Sequence, residues 1–238
     1  MQNMKSYFKL IAIAVTIFAA SIEASAQFGV NISYMNSNGR PVQWSGAKNK
    51  TNGFTVGIDN ELKLIGNFLS IQPGLYYQHL LASEDIVDFG SQLNAKNTYS
   101  DYFLAIPLHV KLGFNILPKR MLRVYVFAGL TFEIGLKSAD KLSIEGIGEV
   151  SYNYYTGKFS SSSDEITAIV ASSDVFPDQK VYGRFDVMVG GGVGIQVIRF
   201  LDIKVGYDYG LVNRYRKEVS DLGPVNRGQF YVGVGVRI

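Results

Sequence analysis

The sequence predicts an all-β fold: an eight-stranded antiparallel up-and-down transmembrane β-barrel with short periplasmic turns and long extracellular loops. Three observations predict it. Apolar residues recur at every second position in eight segments, the connections are alternately short and long, and the amino terminus carries an export signal. The 238 residues suffice for one such domain and fall short of two comfortable ones. Charged residues make up 18%, below the roughly 25% usual for soluble domains, while Gly, Tyr and Phe number 25, 15 and 15.

The export signal comes first. Lys5 and Lys9 precede the apolar stretch Leu10–Ala20, and Ala24-Ser25-Ala26 forms a small-residue cleavage site. Such a stretch rises only about 16 Å as a helix, roughly half of the hydrocarbon core, so it reads as a cleaved signal and not as an anchor. Residues 1–26 are therefore expected to be removed, leaving 27–238 as the barrel domain. Nothing later is apolar for long enough to span as a helix, so a membrane-embedded chain must cross as strands.

The alternating segments are Phe28–Met35, Gly53–Leu64, Phe68–His79, Tyr99–Phe114, Leu122–Lys137, Arg184–Ile198, Leu201–Val212 and Gly228–Ile238. The first sets Phe28, Val30, Ile32 and Tyr34 against Gly29, Asn31 and Ser33. The second has Asn60 as its one misfit on the apolar side. The fifth sets Val124, Val126, Ala128 and Leu130 against Arg123, Tyr125, Phe127 and Gly129. No apolar stripe contains a charge. The opposite face holds Asp59, Glu61, Lys63, Lys111, Arg123, Glu133, Asp186, Asp202, Lys204, Asp208 and Arg237, a self-neutralising set for a lumen.

That face is also rich in glycine. On a wetted sheet these glycines would only weaken the strands, whereas inside a narrow barrel they make room for longer neighbours. The expected short joins are Ile65–Asn67, Asn115–Met121 and Arg199–Phe200; the long ones are Asn36–Asn52, Leu80–Thr98, Ser138–Gly183 and Asn213–Arg227. An even strand count returns both ends to the periplasm. Pro73 and Pro107 offer no N–H to a closed ladder, so a bulge is expected near each.

The run Tyr102-Phe103-Leu104-Ala105-Ile106-Pro107-Leu108-His109-Val110-Lys111 resembles the Y-[LI]-E-[IV]-P-L-x-x-K segment of the PorT-like outer-membrane β-barrel family of Bacteroidetes. Gly53-Phe54-Thr55-Val56-Gly57 and Leu69–Tyr77 resemble that family's G-F-x-x-G and L-x-P-E-L-x-Y strands. The resemblance implies an eight-stranded barrel in the outer membrane of a Gram-negative bacterium, in a family whose namesake is associated with type IX secretion. It does not transfer that role.

Chemistry is sparse. With no cysteine, disulfides, thiolate zinc sites, iron–sulfur clusters and a cysteine nucleophile are excluded. The only histidines are His79 and His109. His79 lies near Ser83, Glu84, Asp85 and Asp88, the one place for a His/acid pair; His109 is expected to face the lumen near Lys111. Gly190-Gly191-Gly192-Val193-Gly194 resembles a phosphate-binding loop but sits in a strand with no helix to follow. Arg214, Arg216 and Lys217, with Glu218 and Asp221, form a mixed cluster that either meets lipopolysaccharide or is simply solvated. The third loop holds Tyr152, Tyr154, Tyr155, Phe159, Ser160–Ser163 and the apolar patch Ile166–Val170. It reads either as a recognition surface or as a cover over the barrel mouth.

The reading is a non-catalytic outer-membrane barrel with no catalytic, metal or cofactor residue. Its role is structural or docking, in protein secretion or surface interaction. Its partners are outer-membrane lipid and lipopolysaccharide, plus a protein met through the long loops or the periplasmic rim; the small net charge of +3, unclustered, suggests no nucleic acid. Eight strands leave an interior that side chains fill, so no pore is expected. Two alternatives stay open here. One is a rim hydrolase acting on lipid or peptide through His79, and the other a soluble periplasmic barrel binding a small apolar ligand.

Overall fold

In a computed structural model, residues 27–39, 50–87, 94–117, 121–146, 148–162, 180–216 and 224–238 are described. The export signal at 1–26, Asp88, Ser163, the patch Ile166–Val170, Lys217, Glu218 and Asp221 lie outside them.

Ten strands follow in chain order: β1 (Gln27–Ser37), β2 (Thr51–Ile65), β3 (Leu69–Val87), β4 (Asn94–Asn115), β5 (Leu122–Ile144), β6 (Gly148–Asn153), β7 (Lys158–Ser161), β8 (Phe185–Val197), β9 (Leu201–Gly210) and β10 (Gly228–Arg237). Eight of them form a ring in the order β4-β3-β2-β1-β10-β9-β8-β5, closed by the pairing of β4 with β5. All pairings are antiparallel, with Ile32 opposite Val234 across the seam between β1 and β10. Closure leaves the wall without an open edge, which a sheet surrounded by lipid requires.

The pleat sorts the side chains as the alternation demands. Val30, Ile32, Phe54, Val126, Val193, Val232 and Val234 point outward and are exposed, while Asp59, Glu61, Lys111, Arg123, Glu133, Asp202 and Arg237 are buried inside. Apolar side chains turned out toward acyl chains and charges turned in are the inverse of a soluble cup. The apolar-ligand alternative falls with that observation, because the interior is ionic.

Three details differ from the sequence expectation. First, the ladder keeps its register through both prolines: Pro73 stays opposite Leu108 and Pro107 opposite Thr131, and the missing pairs lie beside Pro73, at Gly74 and Leu75 toward β4 and at Asn60 and Glu61 toward β2. The register shifts fall instead between Lys63 and Ile65 and between Tyr102 and Phe103. A missing N–H costs one rung, whereas a bulge needs an extra residue, and these are separate events. The second shift moves the inward-facing set of β5 from Glu133 and Gly135 to Ser138 and Asp140, all four buried.

Second, much of the expected second and third loops is strand. Leu81–Val87 pairs with Asn94–Ser100, Ser138–Ile144 pairs with Ala95–Asp101, and β6 and β7 continue the sheet beyond β5. These upper strands stand above the lipid, where neither face needs an apolar stripe, so period-two patterning is lost while the backbone ladder persists. Third, the lumen glycines make room less for charges than for rings. Arg123 lies over Gly113 as expected, but Tyr125 covers Gly194 and Tyr231 covers Gly206. An aromatic ring laid on a glycine shields backbone that has no side chain of its own.

Candidate functional site

The lumen and its outer mouth carry the polar chemistry of this chain. The floor is built around Arg237, from the last strand. Its Nη1 lies 3.0 Å from Asp59 Oδ1, and its Nε and Nη2 donate to Asp202 Oδ2 at 3.2 and 3.0 Å. Glu61 takes the two remaining floor cations, Lys111 at 3.1 Å and Arg123 at 2.6 Å. Neutral donors complete the carboxylates: Tyr76 Oη and Asn31 Nδ2 donate to Asp59 at 2.6 and 2.7 Å, Tyr125 Oη to Asp202 at 2.8 Å, and Ser70 Oγ to Glu61 at 2.9 Å. Lys111 also sits 3.8 Å above the Tyr125 ring. The seal is thus made by residues of seven strands, and each of these charges faces an opposite one in a site of low dielectric constant.

Higher up, Arg227 pairs with Glu133 and lies 3.9 Å over the Phe103 ring. Gln229 Nε2 donates to Glu133 at 3.1 Å and approaches the Met188 sulfur at 3.2 Å.

The mouth is covered by a roof of tyrosines around one arginine. Arg214, on the β9–β10 connection, donates from Nη2 to both oxygens of Asp101 at 2.7 Å and to Ser138 Oγ at 3.2 Å. Its guanidinium lies 4.4 Å over the Tyr182 ring, and Tyr182 stacks on Tyr154 at 4.5 Å and 9°. Tyr154 donates to Asp140, and Tyr99 donates to Asp101 at 2.8 Å. Backbone bonds tie the segments together: Val181 N–H donates to the Tyr154 carbonyl at 3.0 Å, and Arg216 N–H to the Val181 carbonyl at 2.9 Å.

Burial pushes the Tyr155 and Tyr182 hydroxyls well above the ordinary phenol range. Burial works against the charge of Arg214, but Asp101 and the surrounding tyrosines outweigh it and push the guanidinium further up. The roof at neutral pH is one charge pair set among neutral phenols.

The two histidines are far from such chemistry. His79 points outward from β3, stacked on Tyr102 at 4.3 Å with Phe54 edge-on at 5.7 Å, as part of an aromatic girdle at the outer rim. Ser83, Glu84 and Asp85 continue β3 opposite Thr98, Asn97 and Lys96, so the expected loop beside His79 is strand. His109 faces the lumen, buried and tilted against Phe127 at 5.2 Å. The glycine run of β8 is interior strand, paired with Phe127–Gly129 on one side and Gly206–Asp208 on the other.

Arg214 is the residue that sequence reading misplaced. Buried against Asp101, it neither meets lipopolysaccharide nor sits in solvent. Of the third-loop residues, Tyr152, Tyr154 and Tyr155 cover the mouth, while Phe159 on β7 is exposed. The signal that could have marked Arg214 is an arginine flanked by Asn213 and Tyr215 in a chain whose third loop carries four tyrosines and an arginine within Tyr152–Arg184.

A closed ring of eight antiparallel strands, apolar outside and ionic inside, defines a small integral barrel of the bacterial outer membrane. The sequence comparisons agree. The model of the outer membrane protein beta-barrel domain family matches residues 18–216, and the chain belongs to that family. Its place is the outer membrane of a Gram-negative bacterium.

No curated protein matches the chain. Among solved structures it is similar to Ail, the attachment invasion locus protein of Yersinia pestis, in complex with the heparin analogue sucrose octasulfate. The identity there is 13%, over 90% of this chain and 99% of that one, with a TM-score of 0.43. It is also similar to Neisserial surface protein A, at 14% identity over 90% and 97% with a TM-score of 0.40. A third is the outer membrane enzyme PagL, at 6% identity over 88% and 99% with a TM-score of 0.36. These are distant likenesses; the family assignment rests on the matched residues and on the closed ring.

Proposed function

We propose that this chain is a non-catalytic anchor and docking protein, exported through a cleaved signal at residues 1–26. On this reading the barrel wall holds the chain in lipid, and the sheet rising above the roof meets a protein partner. The observation that carries the proposal is the filled interior: the floor is sealed by charge, the mouth is covered by stacked tyrosines, and the ordered surface continues outward through β5, β6 and β7. A filled, covered lumen has no evident cargo, so the functional surface is sought outside it. The resemblance of Tyr102–Lys111 to the PorT-like barrels of Bacteroidetes points the proposal toward accessory work in protein secretion or surface interaction.

The rim-hydrolase alternative loses its geometry, because the imidazole of His79 stands among aromatic rings on the outward face. Site-specific photocrosslinking in cells tests the docking role. A photoreactive residue at Phe159 is expected to give a discrete protein adduct, while the same residue at Val232 on the lipid face gives none. Absence of a protein adduct from the β5–β6–β7 surface, or an activity in the purified barrel that is lost in His79→Ala, would overturn the proposal.

A further inference from the structure

We infer that the middle of the lumen is a hydration site, in which a small cluster of ordered waters completes an ion pair between Lys204 and Asp208. Between the floor and the Arg227–Glu133 pair, every other inward charge has a direct partner. Arg237 serves Asp59 and Asp202, Lys111 and Arg123 serve Glu61, and Arg227 serves Glu133. Lys204 and Asp208 remain without a salt bridge among the described residues, one of each sign, Asp208 being met by the neutral side chains of Gln229 and Tyr231. The Lys204 ammonium donates to the Tyr76 hydroxyl at 3.4 Å and lies 5.2 Å over that ring, while Asp59, Asp202 and Asp208 act on it through space without a salt bridge.

Both residues belong to β9, four positions apart on its inward face, so their Cα atoms stand about 13 Å from each other. Between them is Gly206, covered by the Tyr231 ring, which leaves no side chain of β9 to bridge the gap. The space that joins them is a cavity of about 40 Å³ lined also by Thr55, Gln78 and His109. One water needs on the order of 10–15 Å³ counted at its centre, so the cavity has room for about three.

The lining asks for water. Thr55 Oγ1, Gln78 Oε1, His109 Nε2 and Asp208 Oδ1 are buried with no hydrogen-bond partner among the described residues. All four side chains are more than nine-tenths buried. Such polar groups, set around a space of this size, are met by internal waters that accept from an ammonium and donate to carbonyl and carboxylate oxygens. An added ion fits less well. Floor and upper pair hold five carboxylates and five cations once Lys204 and Asp208 are counted, so a further charge would leave an excess in a region of low dielectric constant.

Met35 and Met188 provide an internal comparison. Both are fully buried, but Met35 lines the cavity and Met188 is held by Gln229 and Arg227 outside it. Radiolytic labelling of the folded barrel in nanodiscs, in ¹⁸O-enriched water, generates hydroxyl radicals from bound waters. Met35 is expected to take up label several-fold faster than Met188. In the same barrel, Lys204→Met and Asp208→Asn each lower the unfolding midpoint, and the double variant regains most of the loss because the charge balance returns. Labelling of Met35 no faster than that of Met188, or a double variant whose loss equals the sum of the two, overturns the inference.

Discussion

The floor of the lumen and its outer roof solve the same problem with different materials. At the floor, six charged side chains from β2, β4, β5, β9 and β10 form one network, in which Arg237 meets Asp59, Glu61 and Asp202 and Glu61 meets Lys111 and Arg123, each within the ladder that fixes its height in the wall. At the roof a single charge pair, Arg214 with Asp101, is packed among Tyr99, Tyr154, Tyr155 and Tyr182. The difference follows from what positions the groups. A closed wall holds side chains rigidly enough for a charge network, where a misplaced partner is costly. Connections outside the wall are placed by packing, and flat amphipathic rings tolerate that better, since each contributes area as well as one hydroxyl.

The floor is the more fragile to loss of one charge. Arg237→Met leaves Asp59 and Asp202 buried without their shared cation and is expected to cost about 3–5 kcal/mol in urea unfolding of the folded barrel. Arg214→Met is expected to cost less in global unfolding but to open the mouth. About 2 kcal/mol of local stabilisation lost there raises the open population roughly 30-fold. Chymotrypsin cleavage within 152–182 reads it, and an unchanged rate would show that the tyrosines seal the mouth without the arginine.

Tyr154→Phe keeps the stack on Tyr182 and removes only the donation to Asp140, so about 1 kcal/mol and a roughly fivefold faster cleavage are expected. The smallest effect lies outside both regions, where Glu149 on β6 is bonded by Lys141 at 2.7 Å and Ser143 at 3.0 Å. These bonds hold its carboxyl below the usual carboxylate range. Because the folded value is the lower one, the contact stabilises β5–β6 above the ordinary carboxylate pKa and is lost as pH falls through the depressed value. Both partners are half-exposed, so only a slight drop in amide protection at Ser143 is expected, measured between about pH 6 and about pH 3 and corrected for intrinsic exchange.

How much could be read in advance differs between wall and mouth in the same way. Each of the eight wall strands shows its apolar stripe, because lipid on one side and a filled lumen on the other impose period two on every residue between the rims. Asn60, the misfit on the outward face of β2, is buried beside the break in the ladder at Pro73. Above the rims that pressure ends. Ser83, Glu84 and Lys141 give no hint of strand, and they lie in strands through backbone bonding to neighbours. The turn at Ile198 and Arg199, with φ of 50° and 69°, is equally silent in residues that rarely adopt a left-handed backbone. The Ile198 N–H is held by the Met121 carbonyl of the neighbouring turn at 2.8 Å, a contact between distant segments.

By itself the amino-acid sequence determined the wall: which faces meet lipid, how many strands cross, and that charges of both signs occupy the interior, since these follow from local periodicity against two solvents. Only the tertiary structure decided the partners. Arg214 and Asp101 are 113 residues apart, and Arg123 and Glu61 are 62 apart. An ion pair is a matter of position in space, and closure of the ring, not spacing along the chain, brings those groups within reach.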